Sequence, residues 1–453
     1  MRKIGRRGFI GATSALLTMA ALPLPAAAQN ALPDFYEEIE KRTFRYFWET
    51  VDRRTGMAPD RWPSKSPCSI AAVGFALTCY AVGVERGWCS RVEARDLTLT
   101  TLRTFWDLPQ GPQPNGVAGN KGFFYHFLDM RTGLRFKQSE LSTVDTTLLF
   151  FGVLFAGQYY DADDPVEAEI RKLADSLYAR ADWIWFQAGR KAISMGWHPE
   201  KGFISRDWDG YNEGMGVFIL GLGAPERPLD PKSWEAWTAP YPRFWRGEGA
   251  SRHLAFGPML GHEYSHLWID FRGIKDAPMR EAGLDYFENS RRAAYADRAY
   301  CAANPMGWKG YSEDCWGLSA CDGPGVNVGK QRFAGYAARG PVGQPDGFDD
   351  GTLAPMGALG CLPFAPEIVI PCAQTLIQRH GEKLFGQYGF FDSFNPTANW
   401  YDTDYIGIDQ GPILAMAANY RNDFVWSRMR RVPAVRRGLE LASFRGGWLE
   451  ERL

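Results

Sequence analysis

The chain has 453 residues, 45% hydrophobic and 23% charged, so it can bury a large core as one big domain or two ordinary ones. Its 51 basic and 52 acidic residues nearly cancel, with no long like-charge block beyond Arg428 to Arg437, which argues against a nucleic-acid partner. The outlying feature is aromatic: 17 Trp, 19 Tyr and 29 Phe supply a core and leave enough for a cleft that stacks sugars.

The N-terminus, "MRKIGRRGFIGATSALLTMAALPLPAAAQN", has a basic start with Arg6 and Arg7, an apolar run around residues 9 to 22, and the small-residue end Ala26-Ala27-Ala28. This pattern is that of a twin-arginine export signal, residues 1–28, cleaved after Ala28. Pro23, Pro25 and the Ala-x-Ala end argue against an uncleaved anchor. The expectation is a mature chain, 29–453, without stable membrane insertion, located in the periplasm or secreted.

From there the dominant period is helical. Apolar residues recur at three- and four-residue spacing over 35–51, 67–86, 90–106, 141–160, 165–187, 211–222, 278–299, 363–379 and 411–422. Ser90 followed by Glu93 forms a capping-box pattern at one of these starts. Strand signals are few, the clearest being "GFFYHFLDMRTGLRFKQ", 122–138, where Arg131-Thr132-Gly133 could turn a hairpin. Long aromatic and Gly/Pro-rich connections cover 107–122, 196–210, 301–350 and 386–410, a length that points to functional loops. No linker divides the chain, so a single domain is expected, all-α, with helices paired in concentric rings.

Eight cysteines suit an oxidising compartment and allow one or two disulfides, with no C-x-x-C spacing to suggest a cysteine zinc site. "GHEYSHLWIDFRG", 261–273, carries His262, Glu263 and His266 in the H-E-x-x-H pattern of zinc peptidases. Histidines at i and i+4 share a helix face and could ligate zinc. A third ligand is missing: Ile269 and Arg272 occupy the places of the extended motif, leaving only the distant Glu281 or Glu288. Packing or cleft histidines are therefore the favoured reading, and no metal or cofactor is expected.

Eight ordered motifs decide the family. They are "PDRWPSKSPCSIAAVGFALTCYAVGVERGW", "GVAGNKGFFYHFLDMRTGLRF", "SELSTVDTTLLFFGVLFAGQYY", "GYNEGMGVFILGLG", "HEYSHLWIDFRGI", "WGLSACDGPG", "DGTLAPMGALGCLPFAPE" and "DTDYIGIDQGPILAMAANYR". In this order they resemble the glucoamylase-like family that includes bacterial β-1,2-glucanases of glycoside hydrolase family 144. The resemblance covers nearly all of the mature chain. It implies an (α/α)6 toroid with long cleft loops and a small β-hairpin, and hydrolysis of β-1,2-glucan to sophoro-oligosaccharides or sophorose. A glycosidase or sugar-binding protein for another linkage is the second reading, and a zinc hydrolase the third.

Glycosidic cleavage needs two carboxyl groups, one to protonate the leaving oxygen and one to activate water or attack carbon. Glu213 in "GYNEGMG" is the first choice as acid, shielded at the start of an apolar helix. Glu140 in "SELSTVDT" is the second choice and expected base, with Asp145 holding sugar or a loop, and inversion is the expected outcome. Asp322, Asp346, Asp349, Asp350, Asp402, Asp404 and Asp409 compete on other loops. Candidate sugar contacts are Lys121, His126, Trp208, Tyr211, Tyr264, His266, Trp268, Arg272, Trp316, Trp400 and Asp404, together with Trp62 and Trp197.

Overall fold

The computed structural model describes residues 30–328 and 331–451; the expected export signal lies outside them. Helices alternate between two environments along the chain. Ile70–Glu85, Thr143–Tyr159, Met215–Gly223, Leu260–Trp268, Pro355–Leu359 and Gly407–Asn422 are buried on nearly every face. Asp34–Thr50, Arg91–Asp107, Pro165–Ala179, Lys232–Thr238, Tyr286–Ala303 and Pro366–His380 bury one stripe and expose the other. The first set forms an inner ring and the second an outer ring, so the protein is an (α/α)6 toroid.

Inner helices read as continuous apolar runs because neighbours cover them all round. Two of them touch backbone to backbone: a Cβ at Gly74 would fall 2.2 Å from the Leu148 carbonyl oxygen, and one at Gly152 would fall 2.1 Å from that of Gly74. Only glycine permits that approach. Trp268 joins three inner helices, stacking on Phe75 and Phe151 with centroids 5.1 and 5.2 Å away while its indole N–H donates to Thr78 Oγ1 at 3.0 Å. The ring closes where the first outer helix meets the last inner one, through an ion pair of the partly exposed Arg421 with the buried Glu40 at 2.6 Å. Buried apolar side chains from Tyr36 to Leu449 form one cluster. Among the described residues, no helix is long and apolar enough to cross a membrane.

The differences from the sequence expectation are local. The helix expected over 67–86 starts at Ile70 because Cys68–Ser69 pairs with Phe127–Leu128, and the Ser69 hydroxyl caps the Ala72 N–H. That over 141–160 starts at Thr143 because Leu141–Ser142 pairs with Gly196–His198. The stretch 165–187 breaks after Ala179 and resumes as Trp183–Gln187, and 278–299 is two helices, divided at Gly283, whose φ is +76°. The expected capping box at Ser90 and Glu93 is present. The expected small hairpin is present at 131–133: the Asp129 N–H donates to the Leu134 carbonyl at 2.8 Å and Leu128 bridges Arg135 antiparallel, while the strand before the turn also pairs with residues 68–69. Such two-residue ladders tie loop to loop around the cleft end. All eight cysteines are free thiols, seven of them buried, so the disulfides allowed by the sequence are not formed.

Candidate active site

The N-terminal ends of four of the six inner helices gather around one cleft. Asp60, Arg61, His126, Phe127, Val144, Asp145, Leu148, Glu213, Leu260, Tyr264, Tyr336, Ile406 and Ile408 line it, enclosing about 410 Å³. Val144 and Asp145 open the second inner helix, Glu213 precedes the third, Leu260 opens the fourth, and Ile406 and Ile408 flank the start of the sixth. Aligned helix starts direct partial positive charge and free N–H groups at whatever occupies this space.

Glu213 sits in the turn before Met215–Gly223, where Gly214 brings the backbone against the Trp208 ring; a Cβ at 214 would lie 2.7 Å from it. Its Oε2 is buried and has no hydrogen-bond partner. Burial pushes the carboxyl up to about 7; its own backbone N–H and Arg206 pull it down, and the charges of Asp145 and Asp346 add to the rise. The group can therefore carry a proton at neutral pH while facing the cleft.

The second carboxyl group in this wall is held differently. Ser142 caps its helix by accepting from the Asp145 N–H at 3.1 Å, and its hydroxyl donates to Asp145 Oδ2. Burial raises the Asp145 carboxyl, and His126 and Ser142 oppose the rise. His126 Nδ1 lies 2.7 Å from Glu140 Oε1 and its Nε2 lies 3.5 Å from Asp145 Oδ1. Glu140 is held below its ordinary value: burial opposes this, and the hydrogen bond and charge of His126 outweigh it.

Across the cleft mouth, Arg61 is paired with Asp322 at 2.5 Å, Asp60 at 3.3 Å and Asp404 at 3.8 Å. Asp322, Asp392 and Asp402 each bring a carboxylate oxygen within 4.8 Å of the others. Arg61 on Asp322, and N–H donors on Asp392 (from Asp322) and Asp402 (from Thr403 and Asp404), already supply positive charge and donors to that cluster. Asp60 and Arg61, both in "PDRWP", line the cleft although the sequence expectation takes only Trp62 from that segment. Tyr336 escapes that expectation because nothing marks one exposed tyrosine in a long loop. That loop is pinned by Arg339, wholly buried and paired with Asp350 at 2.8 Å.

Of the expected sugar contacts, His126 and Tyr264 border the cleft, and Asp404 sits at its mouth, where its Oδ1 accepts from the Ser64 N–H at 3.0 Å. The Tyr264 hydroxyl donates to the Ile408 carbonyl. Several others need correction. Trp268, Trp316 and Tyr211 are wholly enclosed in the core and offer a sugar no surface. His266 packs against Phe271 and Phe364 with Nε2 bonded to Ser290. Trp208 is buried behind Gly214, its indole N–H given to Thr143 Oγ1. Arg272 is at the opposite end of the toroid, just past the C-terminus of Leu260–Trp268, bound to Asp270 and Asp423 and stacked on Trp426. Lys121 is exposed near Asp182, and Trp400 is half-buried in a ladder with Asn395; neither lines the cleft. Asp349 accepts from Tyr300, Tyr311 and Trp308, and Asp350 holds Arg339, so both are structural.

The H-E-x-x-H residues form no ligand set. His262, Glu263 and His266 are buried in the fourth inner helix, and Glu263 receives the Cys361 thiol at 3.3 Å beneath Gly360. Glu281 is exposed and Glu288 pairs with Arg292 at 2.8 Å, so neither completes a site.

Residues 205–433, just over half of the chain, match the family model described as "Putative glucoamylase". The chain belongs to that family. The match includes Glu213, Asp322 and Asp402 and begins after His126, Glu140 and Asp145. An "exo beta-1,2-glucooligosaccharide sophorohydrolase (non-reducing end)" of Parabacteroides distasonis is 29% identical over 458 residues, covering 93% of this chain. The chain spans 59% of that relative's length. Among solved structures, a "putative glucoamylase" from Bacteroides uniformis shares 31% identity at a TM-score of 0.81 over 93% of this chain and all of that one. An endo-β-1,2-glucanase from Chitinophaga pinensis, solved with sophorotriose and glucose, shares 26% identity at a TM-score of 0.81 over 92% of this chain and all of that one.

Proposed function

We propose that the protein is an exported glycoside hydrolase that cleaves β-1,2-glucan to sophorose or short sophoro-oligosaccharides, with Glu213 as the general acid. The observation that carries the acid is a carboxyl on the cleft wall whose Oε2 is desolvated and unpartnered and whose proton is retained up to about pH 7. An incoming glycosidic oxygen supplies the missing partner and takes the proton as the bond breaks. The substrate class rests on the names of the relatives, which include one exo- and one endo-acting enzyme.

The partner carboxyl is Asp145 or Glu140. Asp145 is the better placed, because it lines the same cleft and its charge reaches Glu213, whereas Glu140 reaches the cleft through His126. An ionised Asp145 accepting a proton from water on the far side of the sugar gives inversion, the stereochemical outcome we propose. Export follows from the twin arginines at positions 6 and 7.

One panel tests the reading: purified protein is expected to release reducing sugar from β-1,2-glucan and not from starch or casein. Activity on starch alone would replace the substrate, and activity on casein would revive a peptidase. NMR of the first-formed product is expected to show the inverted anomer. Replacing Arg6 and Arg7 by lysine in a reporter fusion is expected to stop export.

A further inference from the structure

His126 carries a geometry that a sugar-donating histidine would not need. Both ring nitrogens face carboxylates, Nδ1 to Glu140 at 2.7 Å and Nε2 to Asp145 at 3.5 Å, and the ring lies flat on Phe127 with centroids 3.9 Å apart. A neutral imidazole has one N–H and one lone pair, so it can satisfy one of these acceptors and must turn a lone pair on the other. An imidazolium turns an N–H to each, donating to Glu140 and standing as a charge beside Asp145. The acids around it all favour the charged ring. Asp60 is a third acid close enough to act on the ring, and Arg61, the nearest cation in the cleft, is already committed to Asp60 and Asp322. On the far side of Glu140 stand His198 and Arg135, the latter paired with Glu200. Ser142 holds the other oxygen of Asp145, and Glu213 lines the same cleft.

We infer that His126 is a positioning residue that acts as a cationic clamp, bridging Glu140 and Asp145 so that both stay ionised and Glu213 is the one acid in this wall that holds a transferable proton. Its kinetic consequence rests on the glycosidase reading above; its charge state does not. Burial opposes the charge, but Asp145, Glu140 and Asp60 together raise the ring to about 9. Without the clamp, two neighbouring carboxylates would face each other in a partly desolvated wall and one would take up a proton. Nδ1 is committed to Glu140, so the donation to sugar hydroxyls expected of His126 from the sequence is left to Nε2, beside Asp145.

The chain contains six histidines, few enough for ring resonances to be followed individually. In a ¹H–¹³C titration of the full chain from pH 5 to 10, His126→Gln identifies the resonance by its loss. That resonance is expected to remain protonated at pH 8, whereas His253, His262, His266 and His380 lie in surroundings that hold them below the ordinary value. If it titrates below pH 7, or if metal analysis of the same sample finds a stoichiometric divalent ion whose removal changes it, the inference is overturned. If His126→Gln does not fold, Glu140→Gln serves instead: His126 followed in that variant should titrate at least about one pH unit lower, and an unchanged value overturns the clamp.

On β-1,2-glucan, His126→Gln should move the acid limb of kcat/KM up by about one pH unit, because Asp145 then protonates more readily. His126→Lys should restore part of that limb by returning the charge. Equal loss at every pH, with the limbs unmoved, would mark His126 as merely structural. A high titration midpoint in a protein inactive on β-1,2-glucan would leave the clamp standing and remove the substrate reading.

Discussion

Two buried glutamates in this toroid hold protons at neutral pH for the same reason and with opposite consequences. Burial lifts Glu213 to about 7 and Glu263 to about 8. Glu213 faces the cleft at the start of an inner helix. Glu263 lies one inner helix further along, wholly enclosed under Gly360 and Cys361; a Cβ at position 360 would fall 2.4 Å from its Oε2. A raised carboxyl is thus a sign of desolvation, and access to a reacting atom is what turns desolvation into acid catalysis. The same contrast separates the aromatics, with Trp268 sealed along the inner helices and Trp62, 42% exposed, standing at the cleft mouth.

The largest effect belongs to Glu213. Glu213→Gln keeps the size and removes the transferable proton, so kcat should fall by about two to four orders of magnitude with glucan binding intact. Binding measured by calorimetry on the inactive variant checks this, and its loss alongside activity would make Glu213 structural. With wild-type enzyme, activity should decline as pH rises through about 7, because the acid role proposed for Glu213 requires its proton.

Trp268→Ala is the core counterpart. It removes two ring stacks and the hydrogen bond to Thr78, and should cost about 3–5 kcal/mol of stability, read as a large drop in the midpoint of denaturant unfolding. Enzyme that remains folded should keep its KM. A raised KM at unchanged stability would return Trp268 to the list of sugar contacts.

How much of this was legible in the sequence depended on what each signal measures. Helical period locates stripes, so Arg91–Asp107, with its capping box at Ser90 and Glu93, stood out. Leu260–Trp268 is buried all round, and nothing in its spacing says which side faces the cleft. That is why Glu263 and His266 looked like chemistry and Trp268 like a sugar platform. Glu213 was found because a lone acid among glycines at a helix start is rare and its surroundings are local. The clamp at His126 joins residues 14 and 19 positions apart through a loop whose path is set by pairing with Cys68–Ser69, and spacing alone does not report that path.

Glu263→Gln sharpens the comparison by removing a titration without emptying the core. Because Glu263 holds its proton to about 8 when folded and to about 4.5 when unfolded, the folded state binds more protons between those values, and its contribution to stability is lost as pH rises through that window. Glutamine stays neutral throughout. The variant should match wild type near pH 5 and gain on it as pH rises, by about 4–5 kcal/mol at pH 8.5, with glucan turnover nearly unchanged. Parallel stability profiles would show that Glu263 is ionised in the fold, and lost turnover in a normally folded variant would reopen the H-E-x-x-H question.

Trp62 should give the smallest effect and the cleanest one. Its strand, Arg61–Trp62, pairs with Tyr405–Ile406, which fixes the backbone without using the indole, and the residue stays partly exposed next to Arg61. An exposed ring contributes little to folding, so Trp62→Ala should leave stability within about 0.5 kcal/mol. A sugar stacked there lies away from Glu213 and gains the same contact in the bound and transition states, which is binding without catalysis. Trp62→Ala should therefore raise KM about five- to tenfold and leave kcat nearly unchanged, a loss of about 1 kcal/mol. The measurement is a full kinetic curve on long and short β-1,2-glucans beside an unfolding curve. An unaltered KM would mean that the mouth ring is idle, and a fall in kcat would move Trp62 from the mouth into the reacting centre, contrary to its exposure.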